Sequence, residues 1–271
     1  MLHEIGEKDF CCAYLPRAPI VGRDVVLSYR DNEVMFLDER LPRVGEVNVR
    51  EGALQYLFSI SEVAFYLTAP VAAKKKALHY ESVRALRGLS PSWLAFAGMT
   101  GFHLSVWYQN NLYCGSCGAP LVHRADERAL ECLRCGRVIY PTINVAIIVG
   151  IVDGERILLS RYAAGAYRNY ALVAGYVEIG ETLEEAVQRE VMEEVGLNVK
   201  NIRYYTSQPW GFSQALLVGF FADLDGAAEV QLEPRELSEA VWMRREEMPE
   251  SDAAVSMTAR MMEAFRLGEE V

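Results

Sequence analysis

Apolar residues are distributed along this chain in three regimes. Between residues 25 and 67 they form short runs, VVLSY (25–29), EVMFL (33–37), LQYLFSI (54–60) and AFYL (64–67), with polar breaks between them. Such runs read as strands, with Asp31-Asn32 as a hairpin turn between the first two. From Ser90, the stretch SPSWLAFAGMTGFHLSVWYQN carries apolar residues at helical spacing as far as Trp107, despite two glycines. Ser90 resembles a helix cap and Pro91 suits an early helical position, so a connecting helix is expected here. Beyond Pro141 the apolar runs lengthen into INVAIIVGIV, RILLSRY, ALVAGYVE and ALLVGFFADL. These read as strands, the last one buried, and Asp153-Gly154 supplies a hairpin turn between the first two. A helix over 183–195 and a last helix over 252–266 complete the pattern of an α/β sandwich.

The pattern divides the chain into a mainly β N-terminal domain with its connecting helix (1–109), a cysteine segment (110–140) and a strand-rich domain (141–271), an α+β chain overall. Its 271 residues suffice for two domains or for one with a satellite. A net charge of −10 argues against broad nucleic-acid or anionic-membrane binding, and any grip on RNA has to be local. No apolar run reaches the about eighteen residues of a membrane span. The acidic start MLHEIGEKDF lacks the apolar core of a signal peptide, so a cytoplasmic chain is expected. Lys74-Lys75-Lys76 reads as solvated surface.

Cys114, Cys117, Cys132 and Cys135 form two C-x-x-C pairs separated by fourteen residues. In a cytoplasmic chain that spacing reads as a pair of metal knuckles. Four thiolates make a closed tetrahedral Zn²⁺ site, so the expected role is structural. His123 is a bystander, because the shell is already full. Cys11 and Cys12 have no such partners.

The helix over 183–195 raises the sharper question. Thr182-Leu-Glu-Glu185 is a capping box, and Gly196 is a left-handed stop. Glu190 and Glu194 lie one turn apart, with Glu193 beside them, and like charges at that spacing repel. They also sit at the end of the helix where the dipole disfavours anions. Arg189 offsets part of this charge, and a hard divalent cation, Mg²⁺ or Mn²⁺, would offset the rest. Spacing alone leaves a solvated acidic face equally open.

The full register resolves this. Gly175, Glu181, Arg189-Glu190, Val191, Glu193-Glu194, Val195, Gly196 and Leu197 stand at the spacing of a Nudix box. The chain therefore resembles the Nudix hydrolases, which implies an α/β/α sandwich and cleavage of nucleoside diphosphates linked to another moiety. The resemblance makes Glu190, Glu193 and Glu194 metal ligands, with Glu194 favoured as general base. It makes Glu181 and Arg189 shapers of the loop and helix. It adds Glu236 as a further metal-binding carboxylate and places Tyr176 where the family presents an aromatic ring to its ligand.

The order of N-terminal domain, four-cysteine ribbon and Nudix domain resembles the NADH pyrophosphatase branch. So does Ser207-Gln208-Pro209-Trp210-Gly211-Phe212-Ser213-Gln214-Ala215, although Gly211, Ser213 and Ala215 depart from that branch's SQPWPFPxS. Trp210, Phe212 and Tyr176 suit stacking on a base, and Gln208 offers a donor and an acceptor. The branch implies NAD(H) as the dinucleotide substrate, NAD-capped RNA as another, and a homodimer in which Thr258 faces the nucleotide of the other subunit. ADP-ribose hydrolysis is the enzymatic alternative. A nucleotide-sensing or nucleic-acid-binding zinc-ribbon regulator is the non-enzymatic one.

Overall fold

A computed structural model describes all residues except 16–19, 71–77, 165–168, 249, 251–254 and 271. Lys74-Lys75-Lys76 lies outside the described residues. The chain forms two compact units. One comprises Met1, Asn144–Pro209 and Ala215–Val271, and the other Leu2–Ile143 with Trp210–Gln214.

The first unit is built on a six-stranded sheet. Its strands are β1 (Asn144–Asp153), β2 (Arg156–Tyr162), β3 (Val173–Tyr176), β4 (Val199–Trp210), β5 (Ala215–Leu224) and β6 (Leu237–Arg244). The order is β4-β5-β1-β2-β6, and β3 also pairs with β1. β1 runs parallel to β5 and antiparallel to β2 and β3, so the sheet is mixed.

Side chains alternate across a strand, and β1 divides accordingly. Ile147, Val149 and Ile151 enter one core with Ala186, Val187, Val191 and Val195 of the helix Leu183–Val195. Ile148 and Val152 enter another with Met257, Met261, Met262 and Phe265 of the helix Met257–Leu267. A helix on each face makes the unit an α/β/α sandwich, as the apolar runs required. The β1–β2 turn falls one residue later than expected, because Asp153 still pairs with Arg156. Gly154-Glu155 therefore forms the turn, with Gly154 at φ +59°. The expected start of the last helix at 252 lies outside the described residues, and Ser256 caps it, accepting from the Ala259 N–H.

The second unit is mainly β. Four strands pair in the order Phe10–Cys11, Gln55–Ile60, Val63–Leu67 and Val25–Leu27. A second sheet joins Tyr29–Arg30, Glu33–Leu37 and Leu78–Ser82, and Asp31 takes φ +51° in the expected hairpin turn. The connecting helix α1 spans Ser92–Asn110, three residues beyond Trp107, and Pro91 is its N-cap rather than its first helical residue. Its glycines permit close packing: a Cβ on Gly98 would overlap the Leu86 side chain, and one on Gly101 that of Leu27. Among the described residues no helix is long and apolar enough to cross a membrane.

Candidate active site and zinc centre

The helix Leu183–Val195, α2, is held at both ends by the local code. Thr182 Oγ1 accepts from the Glu185 N–H at 3.2 Å, and Glu185 accepts from the Thr182 N–H at 2.8 Å. At the other end Gly196 takes φ +66°, and its N–H reaches the Met192 carbonyl. Gly196 is also needed for space, since a Cβ there would lie 2.8 Å from that of Gln231. The segment that follows is tied to the last carbonyls of α2. Gln231 N–H donates to Val195 and Glu233 N–H to Glu194, at 2.9 and 3.0 Å. The Glu233 carbonyl then accepts from the Glu236 N–H. Main-chain bonds thus anchor the loop carrying Glu236 to the end of the glutamate helix.

Arg189 organises the carboxylates. It grips Glu181 with two nitrogens, at 2.5 and 2.9 Å, and reaches Glu190 at 2.8 Å and Glu193 at 3.0 Å. Its last donor meets the Tyr176 carbonyl at 2.9 Å, joining α2 to the end of β3. The paired guanidinium, with the Glu178 N–H, holds Glu181 down to about 2. Glu181 is therefore a permanent anion that orients Arg189.

Glu190 and Glu194 behave in the opposite way. Both are buried, with Glu194 only 4% exposed. Burial raises the Glu190 carboxyl even though Arg189 opposes the shift. Burial, followed by the charges of Glu190 and Glu236, pushes Glu194 up to about 8, against one backbone N–H at Ala174. Glu193 and Glu236 are exposed beside them. Among the described residues, the four cysteines form the set whose ligand atoms lie within 4.8 Å of one another. Hard oxygen donors with buried, mutually repelling charges nevertheless fit a divalent cation. A cation held by Glu194 would displace its proton. Calorimetry in buffers of different ionisation enthalpy should register about one proton released per metal site below pH 8, vanishing above it.

The cysteines fit zinc more directly. Cys114 Sγ lies 3.6 Å from Cys135 Sγ, and Cys117 Sγ lies 3.4 Å from Cys132 Sγ. Tetrahedral Zn–S bonds of about 2.3 Å imply S···S separations of about 3.8 Å. Each knuckle repeats one geometry. Gly118 N–H bonds to the Cys114 carbonyl and Gly136 N–H to that of Cys132, both at 2.8 Å. Both glycines have positive φ. Backbone N–H groups also lower the thiol pKa values of Cys114 and Cys132, favouring the thiolates a metal needs. His123 stays outside this set. Arg124 is bound by Asp126, Glu127 and Glu131, which removes it from any basic patch on the ribbon.

Comparison with known proteins agrees with this pairing of centres. Residues 141–265 match the NUDIX domain, and residues 109–140 match the NADH pyrophosphatase zinc ribbon domain. The chain is 40% identical over 182 residues to the NAD-capped RNA hydrolase NudC of Escherichia coli O1:K1 / APEC, covering 67% of this chain and 70% of that protein. It is 42% identical over 163 residues to the NAD-capped RNA hydrolase NudC of Salmonella heidelberg (strain SL476), covering 60% of this chain and 63% of that one. The chain belongs to the Nudix hydrolases. Among solved structures, a NUDIX hydrolase from Nitrosomonas europaea aligns at 23% identity with a TM-score of 0.48, covering 59% of this chain and 94% of that one.

The remaining expected site residues of this Nudix hydrolase take varied positions. Tyr176 is 52% exposed at the end of β3, and Thr258 is half-buried near the start of the last helix. Gln208 is fully buried. Its Nε2 donates to the Val255 carbonyl at 3.2 Å, and its Oε1 accepts from the Met257 N–H at 2.8 Å. Both ends of the amide therefore hold the start of the last helix, which is a structural assignment in place of base recognition.

Trp210 and Phe212 belong to the second unit. Their rings meet edge to face at 5.1 Å, and the Arg87 guanidinium lies 5.0 Å from both. Arg87 was not legible as a partner, since more than a hundred residues separate it from the rings. Gly211 packs so closely on the Met99 carbonyl that any Cβ would overlap it, which accounts for glycine where the SQPWPFPxS pattern has proline.

Gly175 has a similar reason. Its backbone angles are unexceptional, but a Cβ would overlap the Glu190 carboxylate. The glycine supplies room for the Glu190 carboxylate. Gly175→Ala should therefore cost about 1–3 kcal/mol. By displacing Glu190 it should also lower kcat at least about tenfold, with steady-state kinetics and melting as the checks.

Proposed function

We propose that this Nudix hydrolase cleaves the pyrophosphate of NAD(H), giving NMN(H) and AMP, and that it removes NAD caps from RNA by the same chemistry. The observation that carries the reading is the complete carboxylate set on α2 in a chain whose relatives are named NAD-capped RNA hydrolases. An RNA chain joined through the adenosine ribose leaves the pyrophosphate unchanged, so one site serves both substrates.

Glu190, Glu193, Glu194 and Glu236 would hold Mg²⁺ or Mn²⁺. Bound there, such an ion neutralises the anionic bridge and lowers the pKa of a water. The chain's own residues do the rest. Arg189, fixed by Glu181, sets the rotamers of Glu190 and Glu193. Glu194 accepts the proton of the attacking water as the water's oxygen bonds to one phosphorus and the bridging P–O bond breaks. Tyr176, exposed at the end of β3, offers a ring face to a base. We further infer that the enzyme works in the cytoplasm as a homodimer, with Thr258 serving the partner's nucleotide.

The Gly211, Ser213 and Ala215 departures favour a second reading, ADP-ribose hydrolysis. Comparison of kcat/KM for NADH, NAD⁺, ADP-ribose and NAD-capped RNA, with Mg²⁺ and with Mn²⁺, decides between them. NADH or capped RNA should lead, and a large preference for ADP-ribose would replace the first reading with the second. Absence of metal-dependent AMP release from all of them would favour a non-catalytic regulator.

A further inference from the structure

The zinc ribbon sets four arginines against Asp126, Glu127 and Glu131, a near balance of charge along the sequence. Folding distributes these charges unevenly. All three acids gather on Arg124. Arg128 is engaged by the N-terminal sheet, where it donates to the carbonyls of Cys12 and Leu57. That leaves Arg134 and Arg137 at the zinc knuckles. We propose that these two arginines form a binding surface for the phosphates of single-stranded RNA, the chain that follows an NAD cap. Its use in the cell rests on the reading of this enzyme as a remover of such caps.

Both guanidinium groups converge on the first knuckle. Arg137 Nη1 donates to Ser116 Oγ at 2.7 Å, and Arg134 Nη1 lies 3.5 Å from the Cys117 carbonyl. Ser116 and Cys117 are consecutive, so the two cations stand together. Both are exposed, and among the described residues neither forms an ion pair with a carboxylate. Each spends one donor on the knuckle, which leaves the rest of a planar fork for phosphate oxygens.

The surroundings suit a single strand. Leu133, beside Arg134, is 76% exposed, and Tyr113, at the entry to the first knuckle, is 65% exposed. An aliphatic side chain and a tyrosine ring can cover the faces of unstacked bases, which a duplex hides. The net charge of −10 makes the chain as a whole a poor polyanion binder, so a grip on RNA depends on a local pair of this kind.

The test compares the zinc-loaded full chain with the double variant Arg134→Gln/Arg137→Gln. Fluorescence anisotropy with a labelled, uncapped single strand of about twenty nucleotides reads binding without any cap hydrolysis. The variant should bind at least about tenfold more weakly. Its plot of log affinity against log salt should lose about 1.4 of the slope, the share of two phosphate contacts on a single strand. For NAD-capped RNA, KM should rise by a similar factor, while NADH turnover and zinc content stay at the parent level. Arg134→Lys/Arg137→Lys keeps both charges and should retain most of the affinity and the slope. The proposal fails if the glutamine variant binds RNA with parent affinity and slope, or if the lysine variant loses as much as the glutamine one. It also fails if the glutamine variant sheds zinc or loses NADH turnover, which would assign both guanidiniums to holding the knuckles together. If the parent enzyme left NAD caps intact, the capped-RNA reading would fall, and anisotropy would still decide for or against the RNA surface.

Discussion

Glu194→Gln is expected to reduce turnover at least about a hundredfold while making the metal-free protein more stable at pH 7.5. Both effects follow from one environment. Glu194 is almost fully buried, close to three other carboxylates and outside the Arg189 contacts that serve Glu181, Glu190 and Glu193. Its carboxyl is pushed up to about 8, against an ordinary value of 4.5. The folded state therefore holds this proton more tightly than the unfolded chain does. The resulting stability is fully present below pH 4.5 and is lost as the pH rises through 8. Glutamine occupies nearly the same volume without a charge, so it removes that loss together with the base. Melting of metal-free parent and variant at pH 5 and pH 7.5 should show a gap of at least about 3 °C at the higher pH and a smaller one at the lower. Near-normal turnover in the variant would remove Glu194 from the chemistry. Equal melting at pH 7.5 would mean that the buried acid is not held protonated.

The second large effect concerns the ribbon. Cys132→Ser is expected to abolish zinc binding and to unfold more than the ribbon itself. Binding of a structural zinc contributes about 10–16 kcal/mol of apparent free energy in small domains, so a knuckle cannot stay closed without it. The consequences spread because the ribbon is joined to the N-terminal sheet. Arg128 donates to the carbonyls of Cys12 and Leu57, Tyr14 donates to the Arg124 carbonyl, and Gln55 meets His123 at 3.3 Å. Hydrogen exchange should rise at the amides of Gly118 and Gly136, and then along Gln55–Ile60. Zinc content measured by elemental analysis should fall to background. Retention of one zinc per chain, or protection unchanged in the 55–60 strand, would contradict this account.

Much of this architecture is written locally, and for that reason it could be read from the chain. The capping box at Thr182 and the stop at Gly196 are decided by residues three or four positions apart. The knuckle glycines and the strand runs are decided the same way. What escaped the sequence depends on contacts between distant segments. Gly175 matters because Glu190, fifteen positions later, needs its space. Gln208 looks like a ligand-facing amide until the backbone at 255 and 257 engages both its ends. Pro91 caps α1 rather than entering it, and the β1–β2 turn moves by one residue. At such boundaries tertiary packing outweighs local preference.

The assignment of Trp210–Gln214 to the unit formed by Leu2–Ile143 has a practical consequence for dissecting the enzyme. The polypeptide leaves the Nudix sheet at the end of β4 and returns to it at β5, so no single cut separates the two folding units. A fragment beginning at residue 144 would carry Trp210 and Phe212 but not Arg87, and Gly211 but not the α1 backbone it packs on. Such a minimal catalytic domain would present two unsupported aromatic rings to solvent. Its poor solubility, or its altered choice among dinucleotides, would then report the missing scaffold rather than a defect in the glutamate helix.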